Sequence, residues 1–299
     1  MSLRATPLEQ EVSAQALPLW RRYPFYGYLA IIVNLLAWYI SWNRIDPLSP
    51  YMFFPLWFTF ILIIDALNKA RTGTSLMTRA PLKFMQLFGF SIVSWWLFET
   101  LNVPAQNWHY VTDHHYSTLA YIFIASLDFS TVLPAVLECA ELWFSFKGLR
   151  SRLPARDQVT RISPALAVRL LLIGAVCLML LFLLPNQAFI LIWLSLIFLL
   201  DPINNLLGRK SALAHLQARD WRFFVALPLA GITCGVFWEM WNFYALPKWF
   251  YTIPYVGFAK VFEMPILGYM GYLPFAIELF ALYQFLLATF GQRDDALTL

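Results

Sequence analysis

Four glutamates lie inside long apolar segments of the chain and are related in pairs by a spacing of 140 residues. They are Glu99, Glu138, Glu239 and Glu278. Burying a carboxylate in apolar surroundings costs free energy. An acid that recurs in such surroundings therefore indicates that each copy has a function. Because carboxyl groups that share protons titrate toward neutral pH, we predict that these glutamates are catalytic acids and bases. The alternative is that they hydrogen-bond neighbouring helices to one another.

Polar and aromatic residues beside the glutamates recur with them. Asn102 and Asn242 each follow a glutamate by three residues, so each shares a helix face with that glutamate. A Trp-X-Tyr triplet follows each asparagine after a few residues. The predicted substrate-binding residues are Asn102, Asn242, Trp108, Tyr110, Trp249 and Tyr251. For the four aromatic residues, the alternative is packing in the aromatic belt at the membrane surface.

The segments that carry these residues are long and apolar enough to cross a membrane. The chain has 299 residues, of which 60% are hydrophobic and 13% are charged, whereas soluble domains are about 25% charged. Since about 20 apolar residues span the hydrocarbon core, the sequence predicts an all-α, polytopic integral membrane protein. Its eight predicted transmembrane helices are 24–42, 51–68, 84–103, 119–146, 164–185, 188–207, 223–244 and 267–290. The fourth is long, and Pro134 predicts a break in it.

Basic residues predict the orientation of these helices. Lys and Arg cluster before the first helix and after the second, fourth, sixth and eighth, which predicts a plasma or inner membrane protein with both termini in the cytoplasm. With four helices in each copy, the two copies enter the membrane the same way round and form parallel repeats. The predicted parts are a cytoplasmic leader 1–23, a membrane repeat 24–146, a basic cytoplasmic linker 147–163, a second membrane repeat 164–292 and a cytoplasmic tail 293–299.

This topology predicts the depth of the acids in the membrane. Glu99 and Glu239 come shortly before the outer ends of their helices, and Glu138 and Glu278 are expected about two turns in from the outer surface. The four carboxyls then share one depth. The sequence therefore predicts an acidic, aromatic-lined pocket in the outer leaflet, between the two repeats.

Further acids lie outside this set. Asp65 recurs as Asp201 at the inner end of a helix, where neighbouring basic residues are expected to compensate it and anchor the helix. A path for ions or protons on the cytoplasmic side is the alternative. Asp128 and Glu141 occur in the first repeat only, since the second has glycine and alanine there. The two repeats are therefore expected to have different roles.

Cofactor signals are few. His109 and Asp113, in the outer connection of the first repeat, are a weak candidate for a metal site, because no HExxH-type motif surrounds them. No soluble cofactor is implied. The three cysteines have no CxxC spacing, so no zinc or disulfide framework is indicated. The basic residues lie in short loops between apolar runs, which indicates no nucleic-acid partner.

Two short stretches resemble the small membrane lycopene cyclases, which look like duplicated helical units with acids just after a proline. They run from Pro134 to Glu138 and from Pro274 to Glu278, and the acid here follows only at the fourth position, so no function is carried over. The sequence favours a protein that binds, or processes by acid/base chemistry, a hydrophobic molecule such as an isoprenoid or a lipid. The alternatives are a cation- or proton-coupled transporter or channel, and a structural subunit of a membrane complex. The predicted partners are the bilayer and that small molecule, and no oligomeric state is predicted.

Overall fold

The fold is described from a computed structural model that covers residues 18–150, 161–294 and 296–297. Eight of its helical segments are long and apolar enough to cross a membrane, as predicted. They are Phe25–Trp42, Phe53–Thr72, Pro81–Ala105, Thr118–Phe144, Pro164–Leu183, Pro185–Leu206, Phe223–Tyr244 and Ile266–Thr289, and we call them the first to eighth spans. Parts of the predicted leader, linker and tail lie outside the described residues.

The chain is mostly helical, as predicted, and the connections between spans also contain short strands that were not predicted. Strand β1, Trp108–Val111, pairs in antiparallel fashion with β2, Lys248–Tyr251. Strand β3, Lys260–Val261, pairs with β4, Met264–Pro265. Aromatic and β-branched residues favour strands, and pairing satisfies the backbone groups of β1 and β2 where the chain leaves the bundle. We call this side of the bundle the strand end.

Three spans are interrupted. The fourth consists of helices Thr118–Phe129 and Val132–Phe144. The predicted break near Pro134 thus lies at Ser130, whose carbonyl is four residues before the proline and would clash with its ring in a continuous helix. Pro134 itself lies in the first turn of the second helix, where a missing N–H costs little. The sixth span consists of helix Pro185–Ala188, 3₁₀ turn Phe189–Trp193 and helix Ser195–Leu206. The eighth consists of 3₁₀ turn Ile266–Gly271 and helix Tyr272–Thr289.

Short helices connect the spans. They are Leu19–Arg22, the 3₁₀ turn Ser49–Tyr51, Leu76–Arg79, Lys147–Arg150 and Ala212–Gln217. Helices Leu76–Arg79 and Ala212–Gln217 follow the second and sixth spans, which run away from the strand end. They therefore lie at the opposite end of the bundle.

The spans pack in a regular pattern. The first packs against the second and the fifth against the sixth, while the third contacts the fourth and the seventh contacts the eighth. The seventh also packs against the fourth, and the third against the eighth. The first and fifth spans bury the least of their surface and therefore lie at the periphery of the bundle.

Two glycines bring the seventh and eighth spans into close contact. A Cβ atom at Gly231 would lie 2.2 Å from the carbonyl oxygen of Tyr272, and one at Gly235 would lie 2.4 Å from the ring of Tyr272. This is the small-xxx-small pattern that allows helix backbones to approach in lipid. It fixes Tyr272 against the seventh span.

Candidate functional site

An aromatic-lined cavity of about 410 Å³ lies at the strand end. Spans from both predicted repeats contribute to its wall, together with β1 and β2. Its aromatic lining residues are Phe53, Trp95, Trp108, Tyr110, Phe129, Phe189, Trp193, Trp238, Trp241, Trp249, Tyr251, Tyr272 and Phe275. A cavity of several hundred Å³ with mainly apolar walls and a few polar groups is typical of small-molecule sites.

Glu239 lies behind this wall and is joined to it by two tyrosines. The carboxyl is fully buried, and its Oε1 accepts hydrogen bonds from the hydroxyls of Tyr251 at 2.6 Å and Tyr272 at 2.7 Å. Its Oε2 has no donor among the described residues. Burial raises the pKa of Tyr251 well above its ordinary value, and the Glu239 carboxylate adds to this effect. Tyr251 therefore keeps its proton, and the two hydroxyls connect Glu239 to the cavity.

Glu99, the counterpart of Glu239, has similar partners in more open surroundings. Its Oε1 accepts from Trp95 at 2.9 Å, Trp108 at 3.1 Å and Tyr110 at 2.6 Å. Glu99 is half-buried and faces a separate groove beside Trp108. The residue that corresponds to Tyr272 is Val132, so no second tyrosine covers Glu99.

The two predicted substrate-binding asparagines hold the strands in place. Asn102 donates to the carbonyl of Trp108 at 2.9 Å and accepts from the N–H of Asn107 at 2.8 Å. Asn242 donates to the carbonyl of Trp249 and accepts from its N–H, both at 2.8 Å. Because both amides are occupied by the backbone, they position the aromatic residues of β1 and β2. All four of those predicted aromatic residues line the cavity.

Glu138 and Glu278 are not part of the cavity wall, and the prediction that all four glutamates share one depth is wrong. Glu138 accepts from Asn68 Nδ2 at 2.8 Å, near the end of the second span that is remote from the strands. Glu278 accepts from the N–H of Leu196 at 3.1 Å in the middle of the sixth span. The expected depth took the region Gly268–Gly271 as the point where the eighth span enters the membrane, whereas the fourth span begins at Thr118, before its own interruption at Ser130.

Asp65 and Asp201 bind the N-termini of the short helices at the opposite end. Asp65 accepts from the N–H of Met77 at 3.0 Å, and Asp201 from the N–H groups of Ala212 at 2.7 Å and Leu213 at 2.8 Å. A carboxylate is favourable beside the free N–H groups of a helix start. Both residues thus anchor helices as expected, although backbone N–H groups replace the neighbouring basic residues as partners.

Replacing Asp201 by alanine is expected to release the start of helix Ala212–Gln217. Loss of a buried acceptor costs about 1–3 kcal/mol, which corresponds to amide exchange roughly 5- to 150-fold faster at Ala212 and Leu213. Hydrogen exchange followed by mass spectrometry measures this. Asp201→Asn, which retains one of the two acceptor oxygens, is expected to lie between the alanine variant and the wild type. Equal exchange in the alanine variant and the wild type would contradict the anchoring role.

The weak metal candidate finds no geometric support. His109 Nε2 bonds to Thr252 Oγ1 at 2.7 Å, while Asp113 bonds to the adjacent His114 at 2.5 Å. Within residues 18–150, 161–294 and 296–297, no group of three His, Cys, Asp or Glu side chains is placed to hold a metal ion.

Asp128 and Tyr272 line the cavity but were not among the predicted site residues. Asp128 is half-buried and lies just before the interruption of the fourth span, against the backbone N–H of Phe54. The recurrence of residues does not identify either one, because Gly268 and Val132 occupy the corresponding positions. The one sequence signal was that Asp128 is an acid present in the first repeat alone.

In comparisons with known proteins, no family model matches the chain, and no curated protein and no solved structure matches it. The structure thus defines a helical protein of the membrane-spanning class, with an aromatic cavity at one end.

Proposed function

We propose that the cavity binds a hydrophobic molecule, isoprenoid or lipid-like, and that its polar groups process this molecule by acid/base chemistry. The observation that carries the proposal is the aromatic-lined cavity, to which spans of both proposed repeats contribute and which Asp128 also lines. Aromatic side chains offer a large apolar contact area. A few polar groups in such a wall orient a ligand.

Two groups support the acid/base part of the proposal. Asp128 lines the cavity directly. On the side contributed by the second repeat, Tyr251 and Tyr272 line the cavity and bond to Glu239, so a proton lost by either hydroxyl has an acceptor within 2.7 Å. General acid/base groups act at hydrogen-bond distance, which these tyrosines offer to a bound molecule.

The chain is, in this proposal, two parallel repeats related by a two-fold axis along the membrane normal. Strand pairing supports this, because Trp108 lies opposite Tyr251 and Tyr110 opposite Trp249. Exchanging each residue for its counterpart in the other repeat leaves these pairs unchanged, as a two-fold axis requires. The span contacts support it also, since each has a counterpart four spans along the chain.

The proposed orientation places the strand end on the outer side of a plasma or inner membrane, with both termini in the cytoplasm. The support is the positive-inside rule, since Lys69 and Arg71 end the second span, Arg79 lies in the connection that follows it and Lys83 begins the third span, all away from the strands. The cavity then lies in the outer leaflet.

Filling the cavity is the test of this function. Leu194 is half-buried and lines the cavity, whereas Leu191, also half-buried, does not. Replacing Leu194 by tryptophan fills part of the cavity with side-chain volume, in space that a bound molecule would occupy. After purification in mild detergent, native mass spectrometry is expected to find a hydrophobic molecule on the wild type and on Leu191→Trp, and to find most of it lost from Leu194→Trp.

Two results would overturn the proposed function. One is the absence of any bound hydrophobic molecule on the wild type. The other is equal retention by a Leu194→Trp variant that melts at the same temperature as Leu191→Trp.

A further inference from the structure

The cavity wall carries one acid and no free base. Among the residues that line it, Asp128 and Lys248 are the only charged side chains. The Lys248 ammonium forms an ion pair with Glu263 and donates to the carbonyl of Phe243 at 3.1 Å. Asp128 has no ion-pair partner among the described residues. The wall is therefore suited to a ligand that brings positive charge.

The aromatic lining has the same preference. Six of its rings are indoles, namely those of Trp95, Trp108, Trp193, Trp238, Trp241 and Trp249. The face of an aromatic ring carries a negative partial charge and attracts cations, and tryptophan does so most strongly. Aromatic walls that enclose an ammonium group are a known way to recognise quaternary amines, and desolvation in an apolar cavity strengthens the attraction.

We propose that the ligand of this cavity is a hydrophobic molecule with a cationic head, a protonated or quaternary amine, which binds with its charge beside Asp128 and its apolar part against the indole rings. This inference rests on the proposed function, since it names the ligand class of the same cavity. Asp128 is the residue that determines the sign of the charge, because it has no ion-pair partner among the described residues. The same residue disfavours an anionic head, since a carboxylate would be a like charge in an apolar site.

The absence of an acid at the position corresponding to Asp128 explains why one ligand is expected. Gly268 occupies that position in the second repeat and lines the same cavity. A second acid there would place two carboxyls in the wall and offer two positions for a cation. With one acid, the cavity neutralises a single positive charge and is asymmetric, so a bound amphiphile has one preferred direction.

Three probes that share a decyl group and differ in their head group separate the effect of head-group charge on binding from that of apolar burial. Decyltrimethylammonium, decanol and decyl sulfate are titrated, below their aggregation thresholds, into the full chain in lipid nanodiscs, with tryptophan fluorescence as the readout. We expect the ammonium probe to bind about tenfold more tightly than the alcohol, and the sulfate to bind most weakly. This comparison uses the wild type and depends on no variant.

Asp128→Asn then tests the residue itself. The variant is expected to lose most of the preference for the ammonium probe, because only the attraction of the indole rings remains, and to leave the affinity for the alcohol unchanged. Asp113→Asn is the matched control, because Asp113 is exposed, pairs with His114 and does not line the cavity. It is expected to keep the tenfold preference of the wild type, about 1.4 kcal/mol.

The outcomes distinguish this inference from the function on which it rests. Equal binding of ammonium and alcohol by the wild type, or an unchanged preference in a folded Asp128→Asn variant, would overturn the cationic ligand and leave a hydrophobic site. Failure of all three probes to bind, together with no co-purified hydrophobic molecule, would overturn both.

Discussion

Replacement of Gly231 by valine is expected to lower the free energy of unfolding by about 1–3 kcal/mol or more. The reason is that a Cβ atom at this position would lie 2.2 Å from the carbonyl oxygen of Tyr272, a backbone atom that no side-chain rotation can move away. The seventh and eighth spans must separate to accept the new side chain. Since Tyr272 bonds to Glu239, this separation also disturbs the cavity wall.

Thermal melting in one detergent measures this effect, and Gly89→Val is the matched control. Gly89 lies in the third span, is exposed, and would place a Cβ atom with nothing within 4 Å. Both changes add the same side chain to a membrane helix, so the intrinsic helix propensity is equal in the two variants. If Gly231→Val melts at the temperature of Gly89→Val, the close packing of the seventh and eighth spans does not contribute to stability.

The spans were predictable because lipid allows few alternatives to the helix. Backbone groups in the hydrocarbon must be paired within the segment, so a long apolar run has to be helical. The strands were not predictable in this way. Strands β1 and β2 have four residues each, lie outside the apolar runs, and are held by Asn102 and Asn242, whose role depends on tertiary contacts.

An aromatic-lined pocket could be predicted from the sequence, but only some of the residues that line the cavity could be. Residues that recur in the sequence, such as Trp108 and Trp249, do line it. Asp128 and Tyr272 have no counterparts, so a search for recurrence passes over them. The depth of Glu138 depended on where the fourth span enters the membrane, and the helix interruption at Ser130 made that entry hard to read from the sequence.

Substitution of Glu239 by leucine is the second large effect that we expect, a loss of about 2–5 kcal/mol in the free energy of unfolding. The change removes the fully buried acceptor of two hydrogen bonds, which the hydroxyls of the half-buried Tyr251 and Tyr272 donate. Each unsatisfied buried donor costs about 1–3 kcal/mol. Glu239→Gln retains the acceptor oxygen and is expected to remain close to the wild type in a thermal melt.

The corresponding change at Glu99 distinguishes burial from hydrogen bonding. Glu99→Leu also deprives Tyr110 of its acceptor, together with the indole N–H groups of Trp95 and Trp108. Glu99 is half-buried and Tyr110 is 41% exposed, so water replaces the partner that Tyr110 loses. We therefore expect a smaller loss than at Glu239, about 1–3 kcal/mol. Equal losses at the two positions would mean that the buried tyrosine pair does not depend on Glu239. A larger loss at Glu239 would show that Glu239 is the enclosed acid and Glu99 the open one, even though a spacing of 140 residues relates the two glutamates in the sequence.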